Sequence, residues 1–129
     1  MIVVDSSVWI DYFNGVSTPQ TDRLDGLLGV ELVAIGDVTL VEVLQGFRDD
    51  RDHALAREVL VALPVMEMLG TAAALRCADA YRALRRRGVT VRKTIDVIIA
   101  VHCITHGHRL LFSDRDFQPF VDLLGLAPA

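Results

Sequence analysis

Short runs of apolar residues alternate along this chain with longer stretches in which apolar residues recur every three or four positions. The short runs are Ile2-Val3-Val4, Leu32-Val33-Ala34-Ile35, Val65 to Leu69 and Arg109-Leu110-Leu111-Phe112. Ile2-Val3-Val4 predicts a strand buried on both faces; the second and fourth runs are further strand candidates, and Val65 to Leu69 is a third short strand or extended run. The longer stretches predict helices. One runs from Ser6 or Ser7, either of which can cap it, through Val8, Trp9, Tyr12 and Phe13 to Asn14-Gly15. A second covers Thr21 to Leu28 with Leu24, Leu27 and Leu28 inward, and a third holds Leu40, Val41, Val43, Leu44 and Phe47. Arg48 to His53 reads as a charged, solvated turn before a helix from Leu55 to Leu63 that Pro64 stops. In the longest helix, Ala72 to Arg87, the residues Ala74, Cys77, Tyr81 and Leu84 form one stripe and Gly88 marks the end. The tail after Pro119 offers a short helix and an edge strand.

The stretch Thr94-Ile95-Asp96-Val97-Ile98-Ile99-Ala100 breaks the amphipathic pattern. Val97 to Val101 is apolar throughout and no polar side chain follows until His102, so this helix belongs inside the molecule. With Thr94 as N-cap, Asp96 falls in the first turn, where unpaired N–H groups and the helix dipole favour negative charge. A carboxylate at the mouth of a buried helix is costly unless a positive charge meets it. Strands alternating with helices of this length predict an α/β fold: a three-layer α/β/α sandwich with a parallel, mostly five-stranded central sheet. At 129 residues, with no linker or repeat, a single domain over 1–129 is expected.

Composition narrows this picture. Hydrophobic residues make up 52% and aromatics 6%, which describes a core of Val, Leu, Ile and Ala; with 23% charged residues, disorder is excluded. The mean hydropathy of +0.39 points to apolar surface kept for a partner, with Trp9, Tyr12 and Phe13 as candidates alongside a core role. A formal net charge of −4 argues against a general nucleic-acid coat but not against a local site. Arg82, Arg85, Arg86, Arg87, Arg92 and Lys93 crowd just ahead of the Asp96 helix. They read either as a solvated helix end or as an edge that contacts phosphates. Cys77 and Cys103 lack metal-ligand spacing, the first residues carry no secretory signature, and no apolar run is long enough to span a bilayer. The expectation is a cytoplasmic protein that does not engage a membrane.

In a parallel sheet, ligands bind outside the carboxyl ends of the strands. Asp5 follows the first strand, Asp37 the second, and Asp114 and Asp116 the last long one. Glu42 lies one turn into the helix after the second strand, and Asp96 starts its own helix. Strand ends and helix starts share one edge of the sheet, so these acids are expected to converge, with Asp37 and Asp11 solvated or capping. Clustered carboxylates repel, and a hard divalent cation relieves that; all-oxygen ligation selects Mg²⁺ or Mn²⁺ over zinc. Such an ion suits phosphodiester hydrolysis. His102 and His106, one turn apart, suggest zinc, but the Glu of a zinc-protease motif is missing and His near a helix C-terminus is ordinary.

The motifs Val-Val-Asp5-Ser-Ser, Thr-Leu-Val-Glu42-Val, Ile-Asp96-Val-Ile-Ile-Ala and Ser-Asp114-Arg-Asp116-Phe resemble those of PIN-domain ribonucleases, and their order and the chain length look most like the VapC-type toxins. The resemblance implies a metal site of Asp5, Asp96 and Asp114 completed by Glu42 and Asp116. It implies Mg²⁺- or Mn²⁺-dependent endonucleolytic cleavage of RNA, a homodimer, and a small cognate antitoxin that blocks the site. Arg85, Arg86, Arg92 and Lys93 would contact the RNA backbone. Related sequences often carry Thr two residues before the fourth acid; here that residue is Phe112, leaving Ser113 or Ser6 to supply the hydroxyl near substrate. The alternative is a PIN-like binding module without catalysis, acting through a partner protein; retention of all the acids argues against it.

Overall fold

A computed structural model describes residues 1–129. In chain order its elements are β1 (Ile2–Val4), α1 (Ser6–Phe13), α2 (Pro19–Leu27), β2 (Val33–Gly36), α3 (Asp37–Gln45), α4 (Asp50–Val61), β3 (Val65–Met66), α5 (Thr71–Arg86), α6 (Thr94–His106), β4 (Arg109–Leu111), a 3₁₀ turn (Arg115–Phe117), α7 (Gln118–Leu124) and β5 (Ala127–Pro128). The sheet has five strands in the order β3-β2-β1-β4-β5, and every pairing is parallel.

Alternation along the strands divides the core into two layers. Ile2, Val4, Val33, Ile35 and Leu111 face α1 to α4, where they pack with Val8, Trp9, Leu24, Val43 and Leu60. Val3 and Leu110 face the other way, onto Leu84, Ile99, Phe117 and Phe120. Both faces of the inner strands β1, β2 and β4 are therefore covered, which is why these read as plain apolar runs rather than alternating ones, whereas the edge strands β3 and β5 are largely exposed. The chain builds outward from β1 in one direction to β3, then returns to β1's other side with β4. The crevice outside the carboxyl ends of β1 and β4 is the switch point where such sheets bind ligands.

Several local expectations change. Asp5, not Ser6 or Ser7, caps α1: its backbone is extended and its side chain accepts from Ser7 N, so both serines lie inside the first turn. Thr94 is the first residue of α6 rather than its cap; Lys93 occupies the cap position without a side-chain bond. The charged stretch after Arg48 is only briefly a turn, because Asp49 Oδ1 accepts from Arg51 N at 2.9 Å and Asp52 N at 3.0 Å and starts α4 at Asp50. Acids in a first turn favour the helix dipole, so charge there starts the helix instead of preventing it. Phe47 lies beyond α3, Val41 on that helix is 60% exposed, Ala74 lies outside the buried stripe of α5, and Trp9 is fully buried rather than a surface residue.

Close packing fixes the start of α3. Gly36 ends β2 against Met68, and a Cβ at Gly36 would overlap the Met68 Sδ and Cε atoms. Asp37 Oδ1 accepts from Val38 N at 2.8 Å and from Met68 N at 3.2 Å, tying α3 to the segment after β3. Asp37 is thus spent on the scaffold, and the helix it anchors carries Glu42.

Candidate metal centre

The acids are delivered to the switch point by three kinds of local structure. β1 ends directly in Asp5, which is 2% exposed. Ser7 holds one of its oxygens, donating from Oγ at 2.6 Å and from N at 3.2 Å. The chain leaving β4 passes through Phe112 and Ser113 to Asp114, whose Oδ1 accepts from Asp116 N at 2.9 Å and shapes the 3₁₀ turn. α6 delivers Asp96, which is only 4% exposed although it carries a formal charge. That burial is sustained by Val97, Ile98, Ile99 and Val101 behind it; at about 1.5–3 kcal/mol for each buried side chain of this size, they outweigh a desolvation cost of several kcal/mol.

Ligand oxygens of Asp96, Asp114 and Asp116 lie within 4.8 Å of one another. Asp5 and Glu42 lie outside this group: Ser6 links them to each other, its hydroxyl 2.9 Å from Glu42 Oε1 and 3.4 Å from Asp5 Oδ1, and both are near enough for their charges to raise Asp96. Ser6 is buried, so its hydroxyl faces these two acids rather than solvent. Ser113 is exposed and lies 3.1 Å from Ser7 Oγ, extending the same chain of hydroxyls to Asp5. The ring at Phe112 packs 5.4 Å from that of Phe117. Phe112 therefore packs against the core, Ser7 supplies the hydroxyl on Asp5, and Ser113 reaches Asp5 only through Ser7. Ser7 was legible in the sequence only as a possible helix cap.

The basic residues divide. Arg92 donates to Asp116 Oδ2 through Nε at 3.2 Å and Nη2 at 3.0 Å, and Lys93 Nζ stands 3.9 Å from Asp114. Arg85 lies over the Tyr81 ring, 5.7 Å from its centre, at the end of α5; Arg86 is exposed and touches none of the acids. Arg92 and Lys93 thus form a basic rim on the acidic pocket, while Arg85 and Arg86 lie on the helix behind it.

The pocket carries unresolved negative charge. Burial, followed by the Asp5 charge, pushes Asp96 up to about 7, against the opposing pull of Lys93. Burial also raises Asp5, offset by the Ser7 hydrogen bonds, and raises Glu42, offset by the Ser6 hydrogen bond. Asp96 Oδ2 is buried with no hydrogen-bond partner. A buried oxygen left unsatisfied beside like charges is costly, and a hard divalent cation is the species that removes both defects. The donors are all oxygens, which fits Mg²⁺ or Mn²⁺ and not a thiolate- or imidazole-seeking ion.

This arrangement sits in a chain of which residues 2–121 match the family model described as PIN domain. The chain belongs to the PIN domain family. Its curated relatives include VapC ribonuclease Mb1587 of Mycobacterium bovis and ribonuclease VapC11 of Mycobacterium tuberculosis. Each is 31% identical over 131 residues, an alignment covering 100% of this chain and 98% of the relative. Among solved structures, VapBC2 from Rickettsia felis bound to a DNA fragment from its promoter superposes with a TM-score of 0.78 at 16% identity, covering 100% of this chain and 98% of that one. The sarcin-ricin loop cleaving toxin VapC20 of M. tuberculosis gives a TM-score of 0.71 at 17% identity, with coverage of 100% and 98%. These two likenesses establish the PIN fold for this chain. No helix is long and apolar enough to cross a membrane.

Proposed function

We propose that this PIN domain is a Mg²⁺- or Mn²⁺-dependent endoribonuclease acting as the toxin of a toxin–antitoxin pair. The observation that carries the reading is the convergence of Asp96, Asp114 and Asp116 around a buried, unpartnered Asp96 oxygen at the switch point of the sheet. The names of the curated relatives, both ribonucleases, support the reaction class. Asp5, Asp96 and Asp114 would hold the ion, with Glu42 and Asp116 completing the carboxylate set. When bound, the ion supplies positive charge that polarises a phosphodiester and eases deprotonation of water.

The remaining chemistry belongs to this chain's residues. Ser6 holds Glu42 at a fixed place beside Asp5, and Ser7, itself bonded to Ser113, fixes Asp5. Glu42, with its proton affinity raised by burial, is suited to orient water and accept its proton. Arg92 and Lys93 exchange their carboxylate partners for backbone phosphates when RNA enters, which costs little because Arg92 is 76% exposed on its side chain. Burial of β1 and α6 keeps the acids rigid, so orientation rather than motion sets the geometry.

A small antitoxin is part of the same proposal, since solved structures with this fold include the VapBC assembly of Salmonella typhimurium bound to DNA and a toxin-antitoxin complex of Klebsiella pneumoniae. An apolar surface for such a partner exists: a groove of about 580 Å³ between α5 and α6, lined by Leu69, Cys77, Tyr81, Val97 and Ile98, opens beside Thr94. A homodimer completes the proposal, with Val41 and Leu75, 60% and 65% exposed, among the apolar side chains left for contact.

The test is digestion of a mixed RNA pool by antitoxin-free protein, with end mapping. Cleavage at a small set of sites in Mg²⁺ or Mn²⁺, absent in EDTA and in Asp114→Asn, is expected. A folded protein that neither binds the ion nor cuts RNA would replace this reading with that of a binding module.

A further inference from the structure

The segment that joins α5 to α6 carries two cations to the mouth of the acidic pocket. Val91 is buried and anchors it; Arg92 and Lys93 follow, with extended backbone at Lys93, the cap position of α6. Their side chains stay largely exposed. Arg92 brings both Nε and Nη2 to one oxygen, Asp116 Oδ2, at 3.2 and 3.0 Å, and Lys93 Nζ stands 3.9 Å from Asp114 Oδ2. Asp114 Oδ1 is already taken by Asp116 N at 2.9 Å, so Lys93 faces the oxygen that Asp114 has left to offer. Ligand oxygens of these two acids and of Asp96 lie within 4.8 Å of one another. The two cations therefore stand on two of the three acids that converge.

Their charges reach further than their contacts. The Asp116 hydrogen bond, then the charges of Asp116, Asp114 and Asp96, hold Arg92 above its ordinary value. Burial raises Asp96 and Glu42, and the Lys93 charge opposes it at both. Together Arg92 and Lys93 bring two positive charges, as many as one divalent ion. They leave the pocket incompletely satisfied, because Asp96 Oδ2 stays buried without a partner. A divalent ion held by the three acids meets that remaining demand, and its charge repels the two side chains. Exposed ion pairs are weak, so these give way readily.

We propose that Arg92 and Lys93 are internal counter-cations of the ion-free site, which leave Asp116 and Asp114 when the divalent ion loads and only then turn to RNA phosphates. The inference rests on the metal-dependent reading above and adds a condition to it. RNA meets the full set of basic side chains on the loaded protein alone. In the ion-free protein the same charges are engaged by neighbouring carboxylates, and the uncompensated acids repel phosphate. By linkage, pairs that must break for the ion to bind also weaken the ion. Arg85 and Arg86, on the helix behind the pocket, take no part.

The experiment follows Mn²⁺ binding by electron paramagnetic resonance on antitoxin-free full-length protein, beside Arg92→Gln, Lys93→Gln, the double variant and Arg86→Gln. Each single change at the pocket should tighten Mn²⁺ about two- to fivefold, the strength of an exposed ion pair. The double variant should tighten it further, and Arg86→Gln should match wild type. In ¹⁵N-labelled wild type, exchange of the Arg92 Nε–H with water should quicken when Mg²⁺ saturates the site. Binding of a fluorescent 2′-O-methyl oligouridylate tests the RNA side. Its salt slope should steepen from EDTA to Mg²⁺ by about two units more in wild type than in the double variant, one for each freed charge. Mn²⁺ affinity equal or weaker in the double variant, Arg92 exchange indifferent to Mg²⁺, or equal steepening in both proteins would each overturn the proposal. Wild type that binds no Mn²⁺ would overturn the metal reading on which it rests.

Discussion

Asp96→Asn has opposite effects on stability with and without the divalent ion, and the size follows from the site. In the ion-free protein, burial and the Asp5 charge move this carboxyl from its ordinary 3.8 to about 7. At 1.36 kcal/mol per decade, that places a penalty of about 4 kcal/mol on the ionised form. Screening through the pocket mouth reduces it to about 2 kcal/mol. The sign is fixed by linkage: the folded state holds the proton more tightly than the unfolded state, so folding stability falls as pH rises from about 4 to 7. Below pH 4 the carboxyl is protonated in both states and the penalty vanishes. Asparagine carries no such charge, so in EDTA the variant should be about 2 kcal/mol more stable than wild type at pH 8 and equal to it near pH 4. Urea unfolding followed by circular dichroism across that range measures both. At pH 8 with Mg²⁺ at a hundredfold excess over its dissociation constant, wild type should gain about 2.7 kcal/mol and the variant far less. A variant less stable than wild type in EDTA at pH 8, or a difference that ignores pH, would refute the claim that Asp96 is a strained, buried charge awaiting a cation.

Three further substitutions probe the surroundings. Ser6→Ala removes the hydroxyl that holds Glu42 beside Asp5; RNA cleavage should fall roughly 10- to 100-fold with an unchanged fold, as outer partners of a metal site do, and a rate within twofold of wild type would exclude the positioning role. Arg92→Ala should leave the melting temperature unchanged, because its ion pair with Asp116 is exposed, while the salt dependence of RNA binding loses about one unit of slope. Gly36→Ala drives a methyl group into Met68 and should cost about 1–3 kcal/mol in urea unfolding; the same strain at the start of α3 should lower cleavage by displacing Glu42.

The fold was legible because its inner strands β1, β2 and β4 are buried on both faces. Ile2-Val3-Val4 and Leu110-Leu111-Phe112 stand out as unbroken apolar runs, and the topology that follows from parallel strands sends Asp5 and Asp114 to one edge. The buried character of α6 was equally plain, since Val97 to Val101 leave no solvent face. Contacts that depend on distant parts of the chain were not. Ser6 and Glu42 are 36 residues apart and carry no shared motif, and nothing local tells Arg92 to bond Asp116 rather than face solvent. Local competition hid other details: Asp5 outbids the two serines for the cap of α1 because its extended backbone aims a carboxylate at Ser7 N, and Asp49 turns a charged run into the start of α4.

The most direct measurement follows Mn²⁺ binding by electron paramagnetic resonance and RNA cleavage in the same titration, on wild type and Asp96→Asn. If the carboxylates at the sheet edge hold the ion that cleavage requires, binding and cleavage rise with one midpoint in wild type, and both are lost in the variant. Cleavage that persists in EDTA, or that survives in Asp96→Asn at the wild-type rate, would contradict the account.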